Sequence, residues 1–498
     1  MKVKENLILG KFIRFVGSGN FILLVSFLSL SVFSSLVFYF LRNWDMVVRI
    51  LDARHMFSGG YYYEPMRAIF ESLIIGLFSF ISSTYSVYFF IFFVSAVFLV
   101  SVFYLSKAMK LNFAVLFMFL LSPFVLFYGI KNGSDLLVIS FLILYVAAII
   151  REKPVFAGLF ITLAFLSKSY ALIFFPLLLF LIWGKNIKQG LFSFLISIAT
   201  AVAALIPYLV YNLIEYGNLL YPIGMSYLYF HIFSSYVSLS LSVSHFESMP
   251  LIGFEETVLP FLILLFFYWR DKKYFSSRLK KNKRQYSIIT SACILSFLVF
   301  FSVSNLIAGT GLSVFRFMLP LSVFLYILSF SFFKNEDSKF VYVLFIASLV
   351  IAVFIFEQAV PITFHMSYAK QAVALFGSVY SGKCTVASNE WVYLDYLGLN
   401  AVSYQPYPNY SGAILNFGKF NTTLPLIKNQ GNIYLYGLKT CTYYPSIQYS
   451  RFYFVVHEEN IPNNACYWLF GINPKIPTIF SLCNSTNNII SGIFNNVK

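Results

Sequence analysis

Long apolar runs repeat along the first 360 residues, separated by short polar or charged segments. A run of about 20 apolar residues is long enough to cross a bilayer as a helix that rises ~1.5 Å per residue. The region 155–183 can also be interpreted as one kinked unit. The pattern predicts eleven membrane-spanning helices, near residues 21–41, 84–105, 113–129, 136–150, 155–168, 171–183, 191–211, 251–269, 287–305, 314–333 and 341–360.

The pattern changes after residue 360. Short alternating or apolar pieces, such as Cys384–Ser388, Ile433–Tyr436 and Phe452–Val456, are separated there by Asn, Pro and Gly. This arrangement is typical of short strands and turns. We therefore predict an all-α polytopic membrane module over 1–360, with its first outside loop at 42–83, and a small C-terminal extracytoplasmic α/β domain over 361–498.

The composition agrees with the apolar pattern. Hydrophobic residues make up 59% of the chain, aromatic residues 20% and charged residues only 11%, whereas an average soluble domain is about 25% charged. These values exclude a soluble enzyme. The net charge of +16 does not indicate a nucleic-acid partner, because eight of the basic residues lie in the stretch Arg270–Arg284 between two predicted spans. The positive-inside rule predicts a cytoplasmic loop there, and binding of anionic lipid or RNA is the minor alternative.

Charge also predicts the orientation of the chain. With a cytoplasmic N-terminus, the cytoplasmic segments hold 20 Lys and Arg residues and the short outside loops hold seven. An odd number of spans then places the C-terminal domain outside. Four cysteines and three N-x-S/T sequons in that domain agree, and the cysteines allow three disulfide pairings. The four cysteines are Cys384, Cys441, Cys466 and Cys483, and the sequons begin at Asn409, Asn421 and Asn484.

The loop after the first span is predicted to form a helix from about Asn43 to the stop at Gly59. Asp45, Arg49 and Asp52 fall on one face of this helix. They form either a self-paired ionic face or a carboxylate site at the mouth of the bundle, where an acid can act as a general base.

Three further charged residues lie in strongly apolar surroundings. Asp135 either caps the next helix or has a functional role. Lys168 needs an anion or a water-filled cavity nearby, unless it extends to the interface. Arg316 is an isolated guanidinium, the group that best suits a phosphate.

Several short motifs resemble the GT-C superfamily of integral-membrane glycosyltransferases, which use polyprenyl- or dolichyl-phosphate-linked sugars. Their order and sidedness carry the resemblance, and the C-terminal motif is similar to the protein-mannosyltransferase-like and aminoarabinose-transferase-like branches. The motifs are the acidic first loop with Asp45 and Asp52-Ala53-Arg54, Asn132-Gly133-Ser134-Asp135, Leu166-Ser167-Lys168, Arg316-Phe317-Met318-Leu319-Pro320, and Val386-Ala387-Ser388-Asn389 with Asp395-Tyr396.

The resemblance implies an inverting transferase that moves a single sugar to a glycan, lipid or protein acceptor. It implies Asp45 as the catalytic base, with Asp52 as the second candidate. Donor-phosphate ligands would be Arg67, Lys168 and Arg316, and residues that orient the acceptor would be Asp135, His55 and Glu64.

The chain also departs from parts of the superfamily. It has no WWDYG motif, and the first outside loop has no DxD motif to hold a divalent metal. No cofactor is therefore expected. The charge distribution described above indicates no nucleic-acid partner, and the expected partners are the lipid-linked donor, the acceptor and membrane lipids. Two alternative functions are a transporter or flippase of lipid-linked sugars and a polysaccharide polymerase or ligase.

Overall fold

The computed structural model describes residues 27–28, 30–32, 34–36, 38–39, 44–58, 68–113, 116, 120, 134–183, 186–216, 219, 257–306, 317–333, 350, 366–380, 384–403, 413–419 and 421–438. Over these residues the chain is mostly helical, with one small sheet. It divides into two compact units. We call Met1–Tyr39, Tyr88–Tyr211 and Ile232–Ile362 the bundle unit, and Phe40–Val87, Asn212–His231 and Thr363–Lys498 the sheet unit.

The helices are numbered here in chain order. They are α1 (Trp44–Ser58), α2 (Phe70–Ser79), α3 (Ser86–Met109), α4 (Ser134–Ile150), α5 (Pro154–Ser167), a 3₁₀ helix (Ser169–Leu181), α6 (Ile187–Tyr216), α7 (Leu259–Arg270), α8 (Lys272–Lys281), α9 (Lys283–Leu306), α10 (Leu319–Phe330), α11 (Met366–Gly377) and α12 (Trp391–Tyr396). The strands are β1 (Thr385–Ser388), β2 (Asn400–Ser403), β3 (Ala413–Phe417), β4 (Leu426–Gln430) and β5 (Ile433–Tyr436).

Three helices of the described part of the chain are long and apolar enough to cross a membrane. They cover Ser86–Met109, Ile187–Ile214 and Lys283–Ser302, and they coincide with the predicted spans near 84–105, 191–211 and 287–305. Five other predicted spans correspond to apolar helices of 10–17 residues. The predicted spans near 21–41, 113–129 and 341–360 lie largely outside the described residues, so the number eleven stays a prediction.

The region 155–183 forms two helices instead of one kinked unit. Helix α5 and the 3₁₀ helix meet at Lys168, whose backbone is extended with φ −155° and ψ 131°. A 3₁₀ helix rises about 2.0 Å per residue, so its 13 residues cover ~26 Å, compared with ~21 Å for the 14 residues of α5. The break therefore leaves a lysine at the junction of two helices of similar length.

Helix α4 is the central helix of the bundle unit, because every side chain from Asp135 to Ile150 is buried. It packs against α5, which returns after a turn at Arg151–Lys153. On the other side of α5, Gly158 lets α6 approach closely, since a Cβ there would lie 2.2 Å from the carbonyl oxygen of Ser197. The hydroxyl of Thr162 donates to the Ala201 carbonyl of α6 at 3.1 Å. Small and hydroxyl-bearing residues form such contacts between apolar helices.

Several basic residues of the bundle unit gather at one end of its helices. The guanidinium of Arg151 lies 4.1 Å from the ring centre of Tyr104, near the end of α3. Arg284, at the start of α9, pairs with Glu152 at 2.5 Å and donates to the carbonyl of Phe180 at 3.0 Å. The opposite end holds the first turn of α4, the α5–3₁₀ junction and the start of α10, since Asp135, Lys168 and Phe317 meet there.

The basic stretch Arg270–Arg284 contains a short helix, Lys272–Lys281, between α7 and α9. Its cytoplasmic location stays a prediction. Asp271 caps this helix by accepting a hydrogen bond from the backbone N–H of Tyr274 at 2.9 Å. Phe275 anchors it by stacking on Phe332, with ring centres 3.9 Å apart. Lysine, arginine and leucine favour helix wherever an end is capped and one face can pack.

The sheet unit contains a five-stranded sheet in the order β2-β1-β3-β5-β4. Strands β2, β1 and β3 are parallel, and β5 is antiparallel to both β3 and β4. Helix α12 connects β1 to the parallel β2, which is the crossover that parallel strands require. The predicted strands at Cys384–Ser388 and Ile433–Tyr436 are thus confirmed, whereas Phe452–Val456 lies outside the described residues.

Helix α1 belongs to the hydrophobic core of the sheet unit. Its predicted bounds are confirmed, and Val47, Val48 and Leu51 are buried in one cluster with residues of α11, α12 and the sheet. Helix α2 packs closely against α1, since a Cβ at Gly76 would lie 2.0 Å from the ring of Phe57. Helix α1 is therefore part of the same compact unit as the sheet.

The described cysteines differ in state. Cys384, directly before β1, is disulfide-bonded, and its partner lies outside the described residues. Cys293 of α9 is a free and buried thiol, as expected of a small apolar residue.

Candidate active site

Aromatic side chains collect around the N-terminal end of α1 in the sheet unit. The ring of Trp44 packs edge-on against Trp391, with centres 5.8 Å apart, and against Tyr393, with centres 5.7 Å apart. Both partners belong to α12, which follows β1 after a two-residue connection. Edge-to-face pairs at this spacing stabilise the contact beyond the area that they bury. The packing therefore fixes Asp45, the next residue of α1, beside α12.

Two carboxyl groups flank the phenol of Tyr393. Burial raises the pKa of Tyr393 well above its ordinary value, and the negative charges of Glu390 and Asp45 raise it further. Burial also raises the pKa of Glu390 to about 7. Glu390 is thus partly protonated at neutral pH. A carboxyl group that carries a proton at neutral pH, close to a second acid, is an arrangement that supports proton transfer.

A third acid, Asp395 of α12, has a similarly raised pKa. Burial raises the pKa of Asp395 to about 7, against the lowering effects of the Ala401 backbone N–H and of Arg54. Arg54 also binds the C-terminal end of α12: it donates to the carbonyl oxygen of Tyr396 at 3.1 Å, and its guanidinium lies 4.9 Å from that ring's centre. Arg54 therefore ties the second half of α1 to α12.

The two candidate bases differ in exposure. Asp45 is partly exposed, whereas Asp52 is 2% exposed. Arg49 is paired outside its own helix, with Glu71 of α2 at 2.8 Å, and donates a further hydrogen bond to the carbonyl of Ala68. Arg49 therefore forms a bridge from α1 to α2, and the two alternatives for the ionic face of α1 stay predictions. Because a base must reach its substrate, exposure favours Asp45 over Asp52.

In the bundle unit, Asp135 and Lys168 form a buried ion pair. Their side chains are 1% and 15% exposed, and the ammonium also lies 5.7 Å from the ring centre of Phe317. The ring of Tyr170 packs edge-on against Phe317 at 5.9 Å. The anion that the sequence required near Lys168 is thus Asp135, 33 positions earlier.

The remaining predicted site residues divide into two groups. His55 lies in the last turn of α1 and is partly exposed. Glu64, Arg67 and Arg316 lie outside the described residues, so their predicted roles stay predictions. Among the residues that the structure describes, no three His, Cys, Asp or Glu side chains gather as a metal site would need.

Comparisons with known proteins do not identify a family for this chain. A scan against protein-family models gives no match, and a search of curated proteins finds no similar sequence. The GT-C resemblance therefore rests on the motifs described above.

Sequence reasoning missed Trp44, Glu390 and Tyr393 as members of this site. The available signal was the run Asn389-Glu390-Trp391 directly after a buried strand, because loops at the carboxyl ends of parallel strands are common binding sites. Asn389 connects the end of β1 to the end of β3. Its side-chain N–H donates to the Phe417 carbonyl at 3.2 Å, and its side-chain oxygen accepts from the Phe417 backbone N–H at 3.1 Å.

Proposed function

We propose that the chain is an extracytoplasmic inverting glycosyltransferase. It moves a single sugar from a polyprenyl- or dolichyl-phosphate donor to a glycan, lipid or protein acceptor. The observation that supports this proposal best is Asp45, a partly exposed carboxylate held beside Trp44, Trp391 and Tyr393. Aromatic rings offer large apolar faces to the C–H groups of a sugar ring, and the carboxylate offers a base.

In the proposed reaction, Asp45 accepts the proton of the acceptor hydroxyl. The hydroxyl oxygen then forms a bond to the anomeric carbon, the bond from that carbon to the donor's phosphate oxygen breaks, and the lipid phosphate leaves with the bonding electrons. One displacement inverts the anomeric centre and needs no covalent intermediate.

The proposed orientation has the N-terminus in the cytoplasm, multiple spans and the C-terminal domain outside. The disulfide of Cys384 supports this side for the sheet unit, since disulfides persist in oxidising compartments. The gathering of Arg151, Arg284 and α8 at one end of the bundle unit supports the cytoplasmic side for that end.

The predicted phosphate ligands Arg67, Lys168 and Arg316 remain part of the proposal. A donor phosphate would have to compete with Asp135 for Lys168. We therefore expect Lys168 to contribute less to donor affinity than the two arginines.

The proposal is tested by donor turnover with purified full-length protein. Radiolabelled polyprenyl- and dolichyl-phosphate sugars are incubated with total membrane extract, and label leaving the donor is followed. Asp45→Asn is expected to lower turnover by about 10²- to 10⁴-fold, the range that a positioned base contributes. The matched control is Asp271→Asn, because asparagine also caps a helix and preserves the bond to Tyr274.

Three outcomes are informative. Loss with Asp45→Asn alone supports the transferase and its base. Turnover at the wild-type level in both variants supports an enzyme but assigns the base to Asp52 or Asp135. Absence of turnover with every donor contradicts the proposal and favours a flippase, which movement of labelled lipid between leaflets would detect.

A further inference from the structure

A cavity of about 620 Å³ opens at the basic end of the bundle unit, far along the chain from the proposed catalytic residues. It lies where the end of the 3₁₀ helix, the end of α8 and the start of α9 come together. Its lining combines ammonium groups, hydroxyl groups and aromatic rings. The residues that matter here are Trp183, Lys280, Lys283, Ser287, Thr290 and Ser291.

The cavity carries an uncompensated positive charge. Lys280 and Lys283 are exposed, and neither is paired with a carboxylate among the residues that the structure describes. The neighbouring Arg284 is different, because Glu152 and the carbonyl of Phe180 already bind its guanidinium. Two free ammonium groups beside several hydroxyl donors suit a phosphate group, which accepts hydrogen bonds through all its exposed oxygens.

The surroundings of the cavity are typical of a membrane interface. Phe180 and Trp183 stack with ring centres 5.3 Å apart, and Trp183 remains 46% exposed. Trp269, at the end of α7, is 74% exposed. Helix α8 has no buried residue. Exposed tryptophans and a basic surface helix both favour the headgroup level of a bilayer.

One face of α9 changes from polar to apolar as it leaves the cavity. Lys283, Ser287 and Ser291 occupy its first turns, at intervals of four residues. The same face continues with exposed apolar side chains at intervals of three and four residues: Ile294, 57% exposed, Leu298, 45% exposed, and Phe301, 57% exposed. A polar cavity followed by an apolar stripe matches the two parts of a phospholipid.

We propose that this cavity binds the phosphate-bearing headgroup of an anionic phospholipid, whose acyl chain lies along the Ile294–Phe301 face of α9. In the proposed orientation the lipid belongs to the cytoplasmic leaflet, where basic pockets between helices hold anionic headgroups. The site is independent of the proposed transferase chemistry, so either can fail without the other.

The test counts lipids bound to the purified full-length protein by native mass spectrometry. Phosphatidylglycerol, phosphatidylcholine and inorganic phosphate are titrated in turn. Lys280→Gln/Lys283→Gln is expected to weaken phosphatidylglycerol binding about 30-fold, because each lysine loses a charge-assisted hydrogen bond to the phosphate of about 1 kcal/mol. The matched control is Lys272→Gln/Lys273→Gln, which removes the same charge from α8 outside the cavity lining and is expected to change binding less than threefold.

A second variant tests the cavity itself without a change of charge. Ser287→Phe fills part of the space and is expected to displace phosphatidylglycerol to a similar degree. Equal losses in the two double-lysine variants would overturn the proposal, because the effect would then come from general surface charge. Phosphatidylcholine binding as tightly as phosphatidylglycerol would also overturn it. Displacement of the lipid by millimolar inorganic phosphate would assign the cavity to a free phosphate compound instead.

Discussion

Charges buried among apolar side chains are paired with an opposite charge in both units. Arg49 and Glu71 have side chains 6% and 1% exposed in the sheet unit, and Lys168 and Asp135 have side chains 15% and 1% exposed in the bundle unit. A buried ion pair adds little net stability, but removal of one partner leaves an uncompensated charge. Replacing any one of these four residues by a neutral one is therefore expected to destabilise the fold.

Asp135→Asn is expected to lower the free energy of unfolding by about 3–5 kcal/mol, because it leaves the ammonium of Lys168 buried without its anion. The double variant Asp135→Asn/Lys168→Met should recover most of this loss. Denaturant titration of the purified protein in detergent measures both. Glu152→Gln serves as control, since its ion pair is 39% exposed on the acid side and should contribute less than about 1 kcal/mol. A double variant as unstable as Asp135→Asn would contradict the explanation.

Glu390 is expected to make the sheet unit less stable as the pH rises. Its pKa is about 7 in the folded chain and 4.5 in the unfolded chain, so the folded state binds more protons between these values. The stabilisation that protonated Glu390 provides is complete below pH 4.5 and is lost as the pH rises through 7, by roughly 3 kcal/mol.

The measurement for Glu390 is denaturant unfolding from pH 4.5 to 8. It is followed by the fluorescence of Trp44 and Trp391 in a background where the other three tryptophans are replaced, Trp183→Phe/Trp269→Phe/Trp468→Phe. Glu390→Gln should flatten the pH dependence, leaving the part that the raised pKa of Asp395 causes. An unchanged slope in Glu390→Gln would show that the carboxyl is solvated.

At the scale of the elements, close approach of helices depends on positions without a side chain. Helices α5 and α6 are joined by Gly158 and by hydrogen bonds from Thr162 to Ala201 and from Ser197 to the Pro154 carbonyl, at 3.1 and 2.9 Å. Backbone and hydroxyl contacts replace interdigitated large side chains here. Such an interface has little room to relax.

Gly158→Ala is expected to destabilise the bundle unit by about 1–3 kcal/mol, because the new Cβ would meet the carbonyl of Ser197 and the helices must separate. The natural control is Gly377→Ala at the end of α11, where an added Cβ meets nothing within 4 Å. The melting temperatures of the two variants are compared. A larger effect at Gly377 than at Gly158 would contradict the packing argument.

Much of the element pattern could be predicted from the sequence, whereas the contacts between elements could not. The bounds of α1 followed from Asn43 and Gly59-Gly60, and the strands at β1 and β5 followed from short apolar pieces. The partner of Arg49 was not predictable, since Glu71 lies 22 positions away on another helix. The raised pKa of Glu390 was not predictable either, because it comes from burial within the folded unit.

At the scale of the whole molecule, charge separates the ends of the bundle unit, and the proposed orientation can be measured directly. Lys273 of α8 and Lys428 of β4 are both exposed. In intact cells a membrane-impermeant maleimide should label Lys428→Cys above the wild-type background and leave Lys273→Cys unlabelled until the membrane is permeabilised. Labelling of both variants in intact cells would contradict the proposed topology.

The inclusion of α1 in the core of the sheet unit has a consequence for biosynthesis. Arg54 and its partner Tyr396 are 342 positions apart, so at a synthesis rate of about 5–20 residues per second α1 is made roughly 17–70 s before α12. During that interval Val47, Val48 and Leu51 lack the core that later covers them. We expect a chaperone or the insertion machinery to shield helix α1 during this interval. A ribosome stalled before residue 366 would carry α1 as an aggregation-prone intermediate.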